Sequence, residues 1–165
     1  MKSAQNIFLT DGRYIEDVNA TLTIDDGITV YEFKDFSKDE FENGLRADLN
    51  LGHTFGQAIE SAYGFDLSHG ECVGVGMLCA SYISYKRGIL KKNEFDKIEE
   101  ILSLYGLKTR ISIESIDGIY KLMKIDKKKI ADKIRFILPE KIGSVMQCTD
   151  VEKNEIFDAL RYVSL

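Results

Sequence analysis

The sequence predicts a mainly α-helical domain with a short late β-hairpin, preceded by a small N-terminal part of β-α-β-like pattern. Three observations predict it. Apolar residues recur at helical spacing through most of the chain after residue 37, glycines stand where the helical stretches should stop, and β-type runs are confined to the first 36 residues and to residues 133–149. The expected organisation is therefore residues 1–36 as a strand-containing segment and residues 37–165 as the helical domain.

In chain order, residues 6–10 (NIFLT) and 28–33 (ITVYEF) read as strands on either side of a polar segment that ends Asp25-Asp26-Gly27. This is a strand, a helix or loop, and a strand, without a glycine-rich phosphate loop, so the segment alone should not hold a nucleotide. A first helix is expected over residues 43–63 with its stop at Gly64, and a second over residues 70–87 with its stop at Gly88. Asn93 is expected to cap a third, whose apolar stripe is Phe95, Ile98, Ile101, Leu102 and Tyr105 before Gly106. A fourth should cover residues 115–125. Residues 133–138 and 144–149 read as two strands around Pro139 and Gly143, and Thr149 with Glu152 has capping-box spacing ahead of an amphipathic closing helix.

Bulk properties bound the function. A chain of 165 residues with 44% hydrophobic and 30% charged residues has the makeup of one ordinary globular domain. Its net charge of −5, without a basic cluster interleaved with aromatics, calls for neither nucleic acid nor an anionic membrane surface. No apolar run approaches the ~20 residues of a membrane span, and the N-terminus lacks a leader pattern, so a cytoplasmic setting is expected. The three cysteines, Cys72, Cys79 and Cys148, form no CxxC pair. Cys72 and Cys79 are seven apart on one helical face and read as small apolar packing residues.

The first predicted helix carries the informative residues. Arg46, Asn50, His53 and Gln57 are spaced i, i+4, i+7 and i+11, which at ~100° per residue puts them in one sector of a continuous helix. Leu51, Phe55, Ala58, Ile59 and Ala62 fall on the opposite side. The polar stripe lacks the Lys/Glu pairs of a solvated face and offers a guanidinium, two amides and an imidazole, which suits the floor of a polar cleft, although an ordinary exposed face has the same spacing. The only histidines are His53 and His69, the second at the start of the second helix. An antiparallel second helix would begin beside the end of the first, ~15 Å from His53 at ~1.5 Å per residue, unless the loop at 64–68 folds back. Convergence of the two imidazoles is open on spacing alone. If they converge they can hold a divalent metal, and a third ligand is then needed.

The string Asp39-Glu40-Phe41-Glu42-Asn43-Gly44-Leu45-Arg46-Ala47-Asp48-Leu49-Asn50-Leu51-Gly52-His53-Thr54-Phe55-Gly56 resembles the signature segment of 3-dehydroquinate synthases. Ala58-Ile59-Glu60 continues it, and His69-Gly70-Glu71-Cys72-Val73-Gly74-Val75-Gly76-Met77 resembles the family's following histidine-glycine-glutamate helix. Asp126-Lys127-Lys128, Ile134 to Pro139 and Ile142-Gly143 resemble its late lysine motif and strands, so that the likeness runs from about Asp39 to Leu165. Iron-type alcohol and glycerol dehydrogenases share a related histidine-glycine element, but the LNLGHTFG string looks like the synthase.

The resemblance implies the multi-helical C-terminal domain of the dehydroquinate synthase-like fold. It also implies a lyase that uses NAD and a divalent metal, zinc or cobalt, to convert a heptulosonate phosphate to 3-dehydroquinate with release of phosphate, in the shikimate route to aromatic amino acids. Carried over by motif, His53 and His69 are metal ligands, and Arg46, Asn50, Lys127 and Lys128 bind the anionic and hydroxyl groups of the sugar phosphate. Two departures stand out. Gln57 occupies the place of a family histidine and cannot titrate near neutral pH. The NAD-binding domain, and the upstream helix with a glutamate ligand and a lysine, are not found before Arg46, so neither the third ligand nor the cofactor site is expected in this chain.

Three readings follow from the resemblance and its departures. The chain is half of a dehydroquinate synthase-like enzyme that works with an NAD-binding domain in trans; or a non-catalytic remnant that binds a metal, an anion or a partner; or a related cyclase or metal-dependent alcohol dehydrogenase of different specificity. A helical half with an uncovered cleft wall is expected to self-associate, as a homo-oligomer.

Overall fold

A computed structural model of the chain describes residues 49–64, 66–127 and 134–165, and the strands at 7–8, 14–15, 21–23 and 30–32; at these strands and at 126–127 only the backbone is described. The chain divides into two compact units, Met1–Arg46 and Ala47–Leu165.

In the first unit, β1 (Ile7–Phe8) pairs antiparallel with β2 (Tyr14–Ile15), and β3 (Thr21–Thr23) pairs antiparallel with β4 (Val30–Glu32). β1 and β4 lie inside the two expected β-type runs, but each finds its partner close by in sequence instead of pairing with the other. The expected strand, helix or loop, and strand thus has a strand within each of its two β-type runs, each paired antiparallel with a local partner, which short connections close at lower entropic cost than a crossover of a dozen or more residues.

The second unit contains helices α1 (His53–Tyr63), α2 (His69–Lys86), α3 (Lys92–Leu104), α4 (Ile116–Lys127) and α5 (Lys153–Val163), with the hairpin β5 (Phe136–Lys141) and β6 (Ser144–Cys148) between α4 and α5. α2 is the central element, contacted by α1, α3, α5 and β5. That position explains its sequence, which is apolar or small almost all round: Cys72, Val75, Leu78 and Cys79 are each 0% exposed. Both helical cysteines are core residues, as their spacing predicts. Phe55 of α1 meets Phe136 of β5 with ring centres 5.5 Å apart, while Leu160 and Val163 of α5 close the other side of the core. The chain's last residues are tied in by a parallel bridge, Ile111 N–H donating to Val163 O and Leu165 N–H to Ile111 O.

Two glycines set the distance between α1 and α2. Gly52 has φ +83°, a left-handed conformation that ends any helix entering from upstream, and a side chain there would also strike Val73 and Met77. Gly76 faces it, and a Cβ added at Gly76 would lie 2.1 Å from the Gly52 carbonyl oxygen. The backbones therefore touch at a point where nothing larger than hydrogen fits.

Several expected boundaries move. The helix expected from residue 43 is helical from His53, because Gly52 breaks it; residues 49–50 form a short 3₁₀ turn and residues 43–48 lie outside the described ones. α3 starts after Lys91, with Lys92 and Asn93 already helical. Just ahead of this start Leu90, 1% exposed, packs into the core with its N–H donating to Ser84 O. Of the expected α3 stripe Phe95 and Leu102 are buried, but Tyr105 is 82% exposed. α5 begins three residues later than the Thr149–Glu152 box implies, and its capping box is Glu152 with Glu155. Asp150 is already committed to Arg87 and Cys148, which keeps residues 149–151 out of the helix.

Arg87, at the end of α2, joins that end to the start of α5. Its guanidinium donates to both Glu155 carboxylate oxygens at 2.6 and 2.7 Å, to the Asp150 carboxylate at 2.9 Å and to the Asp150 carbonyl at 3.1 Å. The Arg87 and Glu155 side chains are 22% and 27% exposed, so this bidentate pair is largely desolvated. Hydrogen bonds from Arg87 hold the Glu155 carboxyl below its usual range, and hydrogen bonds from the Cys148 thiol and then Arg87 do the same for Asp150.

Gly76→Ala is expected to destabilise the chain by roughly 3 kcal/mol, since backbone must move to admit the methyl group. Thermal unfolding followed by circular dichroism should show a clear fall in Tm, and an unchanged Tm would contradict the close approach. Arg87→Leu is expected to cost about 2 kcal/mol at pH 7, mainly by leaving Glu155 buried without its partner. Because the folded carboxyl pKa values are lowered, the wild-type advantage is complete above the unfolded values of ~4 and fades as pH falls through the folded ones. Urea titrations at pH 7 and pH 3 should therefore show a gap between wild type and variant that narrows in acid; a gap of constant size would refute the assignment.

Candidate metal and substrate site

The α1–α2 contact brings the two histidines together. α2 returns antiparallel to α1, with Gly52 opposite Gly76 and Gly56 against Val73, so that the start of α2 comes level with the middle of α1. The rings of His53 and His69 have centroids 5.6 Å apart and planes inclined at 59°. The convergence that spacing left open is realised.

His53 is the first residue of α1 and is held by the Gly52 turn. Its Nδ1 is buried and has no hydrogen-bond partner among the described residues. His69 is the first residue of α2, directly after the N-cap Ser68. The cap is a full capping box, in which the Ser68 hydroxyl accepts from the Glu71 N–H while the Ser68 N–H and hydroxyl both donate to Glu71 Oε2, at 2.9 and 2.8 Å. Lys108 closes on Glu71 Oε1 at 3.1 Å. The Ser68 amide, then its hydroxyl, then Lys108 lower the Glu71 carboxyl to about 2, so the box stays charged throughout the neutral range. The Ser-x-x-Glu pattern at 68–71 is a signal that sequence reading passed over. His69 Nδ1 lies 2.9 Å from Glu60 Oε2 on α1, with side chains 55% and 38% exposed. Glu60 is seven residues beyond His53, hence on the same helical face, which is the spacing that points to it.

Gln57 is exposed on α1 and, with Thr54, Ser61, Leu122, Met123 and Ile125, lines a cleft of about 200 Å³ between α1 and α4. Its own backbone carbonyl accepts from the Ser61 hydroxyl at 2.8 Å, and Thr54 ties α1 to the hairpin by donating to Arg135 O at 2.9 Å. Asn50 is half-buried in the 3₁₀ turn before Gly52. It does not belong to the same helix as His53 and Gln57, so the expected four-residue stripe is corrected to His53 and Gln57 on α1 with Asn50 on the preceding turn. Arg46 and Lys128 lie outside the described residues. Lys127 is the last residue of α4, and its side chain is likewise outside them. The cleft beside Gln57 is thus closed along one edge by the helix that leads to the lysine motif.

The remaining nucleophiles do not compete for a role. Burial pushes the thiols of Cys72 and Cys79 up, and Cys79 donates weakly to Ala159 O. Among the described residues no group of three His, Cys, Asp or Glu side chains is arranged to hold a metal ion, so the pair of imidazoles is two-thirds of a usual ligand set at most. No helix among them is long and apolar enough to cross a membrane.

A family model described as 3-dehydroquinate synthase C-terminal matches residues 15–129. The 3-dehydroquinate synthase of Wolinella succinogenes is 45% identical over 124 residues, which cover 74% of this chain and 36% of that protein. That of Dictyoglomus turgidum is 42% identical over 125 residues, 75% of this chain and 35% of the relative. Among solved structures, a 2-epi-5-epi-valiolone synthase from Streptomyces hygroscopicus with NAD+ and Zn2+ bound superposes with a TM-score of 0.69 at 26% identity, over 78% of this chain and 36% of that one. A 2-deoxy-scyllo-inosose synthase complexed with carbaglucose-6-phosphate, NAD+ and Co2+ gives 0.65 at 25% identity, over 73% and 36%. The chain spans about a third of the length of these relatives. With a family match over most of its residues, and a helix pair that carries the HTFG end of the signature string and brings the two histidines together, the chain belongs to the 3-dehydroquinate synthase family and corresponds to that family's C-terminal domain.

Proposed function

We propose that this chain supplies the metal- and substrate-binding half of a 3-dehydroquinate synthase, which converts a heptulosonate phosphate to 3-dehydroquinate and phosphate once an NAD-binding domain completes it. The observation that carries the reading is the convergence of His53 and His69, 16 positions apart in the chain, to a ring-centre distance of 5.6 Å. Two imidazoles on one tetrahedral ion with metal–nitrogen bonds of ~2.0–2.1 Å place their ring centres about 5 Å apart. The pair fits zinc or cobalt after a small adjustment, and the buried His53 Nδ1, without a hydrogen-bond partner among the described residues, supports the reading.

When bound, the ion would act as a Lewis acid on a substrate hydroxyl and carbonyl, and NAD would serve as transient oxidant. The chain's own residues do the rest by position. His53 and His69 form one wall of the site and present ring nitrogens. Asn50, on the turn leading into α1, offers an amide to substrate hydroxyls, and Arg46, Lys127 and Lys128 supply the cations that an anionic sugar phosphate needs in a chain of net charge −5. Gln57, exposed on the cleft, donates and accepts hydrogen bonds but has no proton to exchange near neutral pH, so it orients a substrate group without acting as acid or base. In this reading a third metal ligand and the NAD site come from the NAD-binding domain. A cytoplasmic setting and self-association are further parts of it.

Gln57 also supports a second reading. A family histidine replaced by an amide is what a cyclase of altered substrate, or a remnant that binds without turnover, would carry.

Titration calorimetry with zinc should show binding by the wild-type chain that falls at least tenfold in His53→Ala and in His69→Ala; equal affinity in all three would sink the metal assignment. Mixing the chain with the NAD-binding domain of a close relative, with heptulosonate phosphate and NAD, should release phosphate, and Gln57→His should raise that rate about tenfold or more, within the range general acid–base groups contribute. If metal is bound but neither protein releases phosphate, the non-catalytic reading takes its place.

A further inference from the structure

We infer that Glu60 is the positioning residue for His69: its carboxylate accepts the Nδ1–H of the imidazole and thereby presents Nε2 as the nitrogen available to a metal. The inference rests on the metal reading above and extends it to a residue that reading does not use.

The geometry has three parts. Glu60 Oε2 lies 2.9 Å from His69 Nδ1, a full hydrogen-bond distance across the α1–α2 interface. A carboxylate has only acceptor sites, so its partner nitrogen must carry the proton, and in a neutral imidazole the other nitrogen then holds the lone pair. An imidazole ligand is commonly fixed in tautomer and ring orientation by such an outer partner. The backbone of His69 is set independently by the Ser68–Glu71 capping box, which leaves the ring's rotation as the remaining freedom, and Glu60 removes it. His53 has no comparable partner among the described residues: its Nδ1 is buried without one, so one ring is set by packing and the other by a charged hydrogen bond.

Glu60 is not read as the missing third ligand. Its oxygen faces the Nδ1 side of His69, and no triad of metal-holding geometry exists among the described residues. The pair is also too exposed, at 55% and 38%, to matter for stability, so its removal should leave the fold intact and change the site alone.

The test uses the full chain with Glu60→Ala and Glu60→Gln, and His69→Ala as reference. ¹⁵N NMR of the metal-free proteins at high pH reads the tautomer directly. His69 should carry its proton on Nδ1 in wild type and shift toward Nε2–H in Glu60→Ala, with Glu60→Gln in between because its amide oxygen still accepts. Zinc affinity should fall 10- to 100-fold in Glu60→Ala, less than in His69→Ala, at unchanged Tm. The same tautomer in all proteins, or an affinity within twofold of wild type, overturns the role of Glu60. A loss equal to that in His69→Ala, with a Co2+ absorption spectrum showing one ligand fewer, also overturns it by making Glu60 a direct ligand. A wild-type chain that takes up no zinc defeats the metal reading itself, which calorimetry on the unmutated protein shows separately.

Discussion

Everything in the candidate site depends on how closely α1 and α2 approach. Gly52 and Gly76 touch backbone to backbone, and Gly56 rests against Val73. Because the helices meet there without side chains, the first residue of each, His53 and His69, can share a space only a few ångströms wide. The left-handed turn at Gly52 acts twice in this arrangement, once as the contact and once as the break that makes His53 the first helical residue. Around it, α2 collects the packing of the whole unit, so His69 stands on the most buried helix of the domain and not on a loop.

The stabilising features divide between two ends of α2. At its start, the Ser68–Glu71 box with Lys108 fixes the backbone that carries His69. At its end, Arg87 binds the beginning of α5 through Glu155 and Asp150. The two are far apart along the helix and share no residue, so changes at the Arg87 end act on stability while changes at the His69 end act on the site.

Much of this was legible in the sequence, and the limits are physical. The helical domain, the late hairpin, the core cysteines and the stops at Gly64 and Gly88 follow from apolar period and glycine placement, which are local signals. His53, His69 and Gln57 stand out by residue type and by resemblance to the family. The convergence of the histidines did not, because it depends on how a loop closes and on glycine contacts between residues far apart in sequence, Gly52 with Gly76 and Gly56 with Val73. The same holds for Glu60, whose partner comes from another helix. Gly52 is expected as an ordinary helical residue since a glycine inside an amphipathic pattern gives no sign of its φ, and the atoms of Val73 and Met77 that exclude a side chain there come from another helix. At the N-terminus, the β-type runs were visible but their pairing partners were not, since Tyr14–Ile15 and Thr21–Thr23 are too short to stand out as strands.

Gly56 and Gln57 are neighbours in sequence and opposites in freedom. One turn of the chain locks the first between backbones, where any side chain would separate the two histidine-bearing helices, and leaves the second facing an open cleft. Chemistry at position 57 can therefore be rewritten by a single codon while the scaffold beside it stays as it is. A site built this way is evolvable at one residue and frozen at the next, and a glutamine at that place is the kind of change such a scaffold permits without loss of its form.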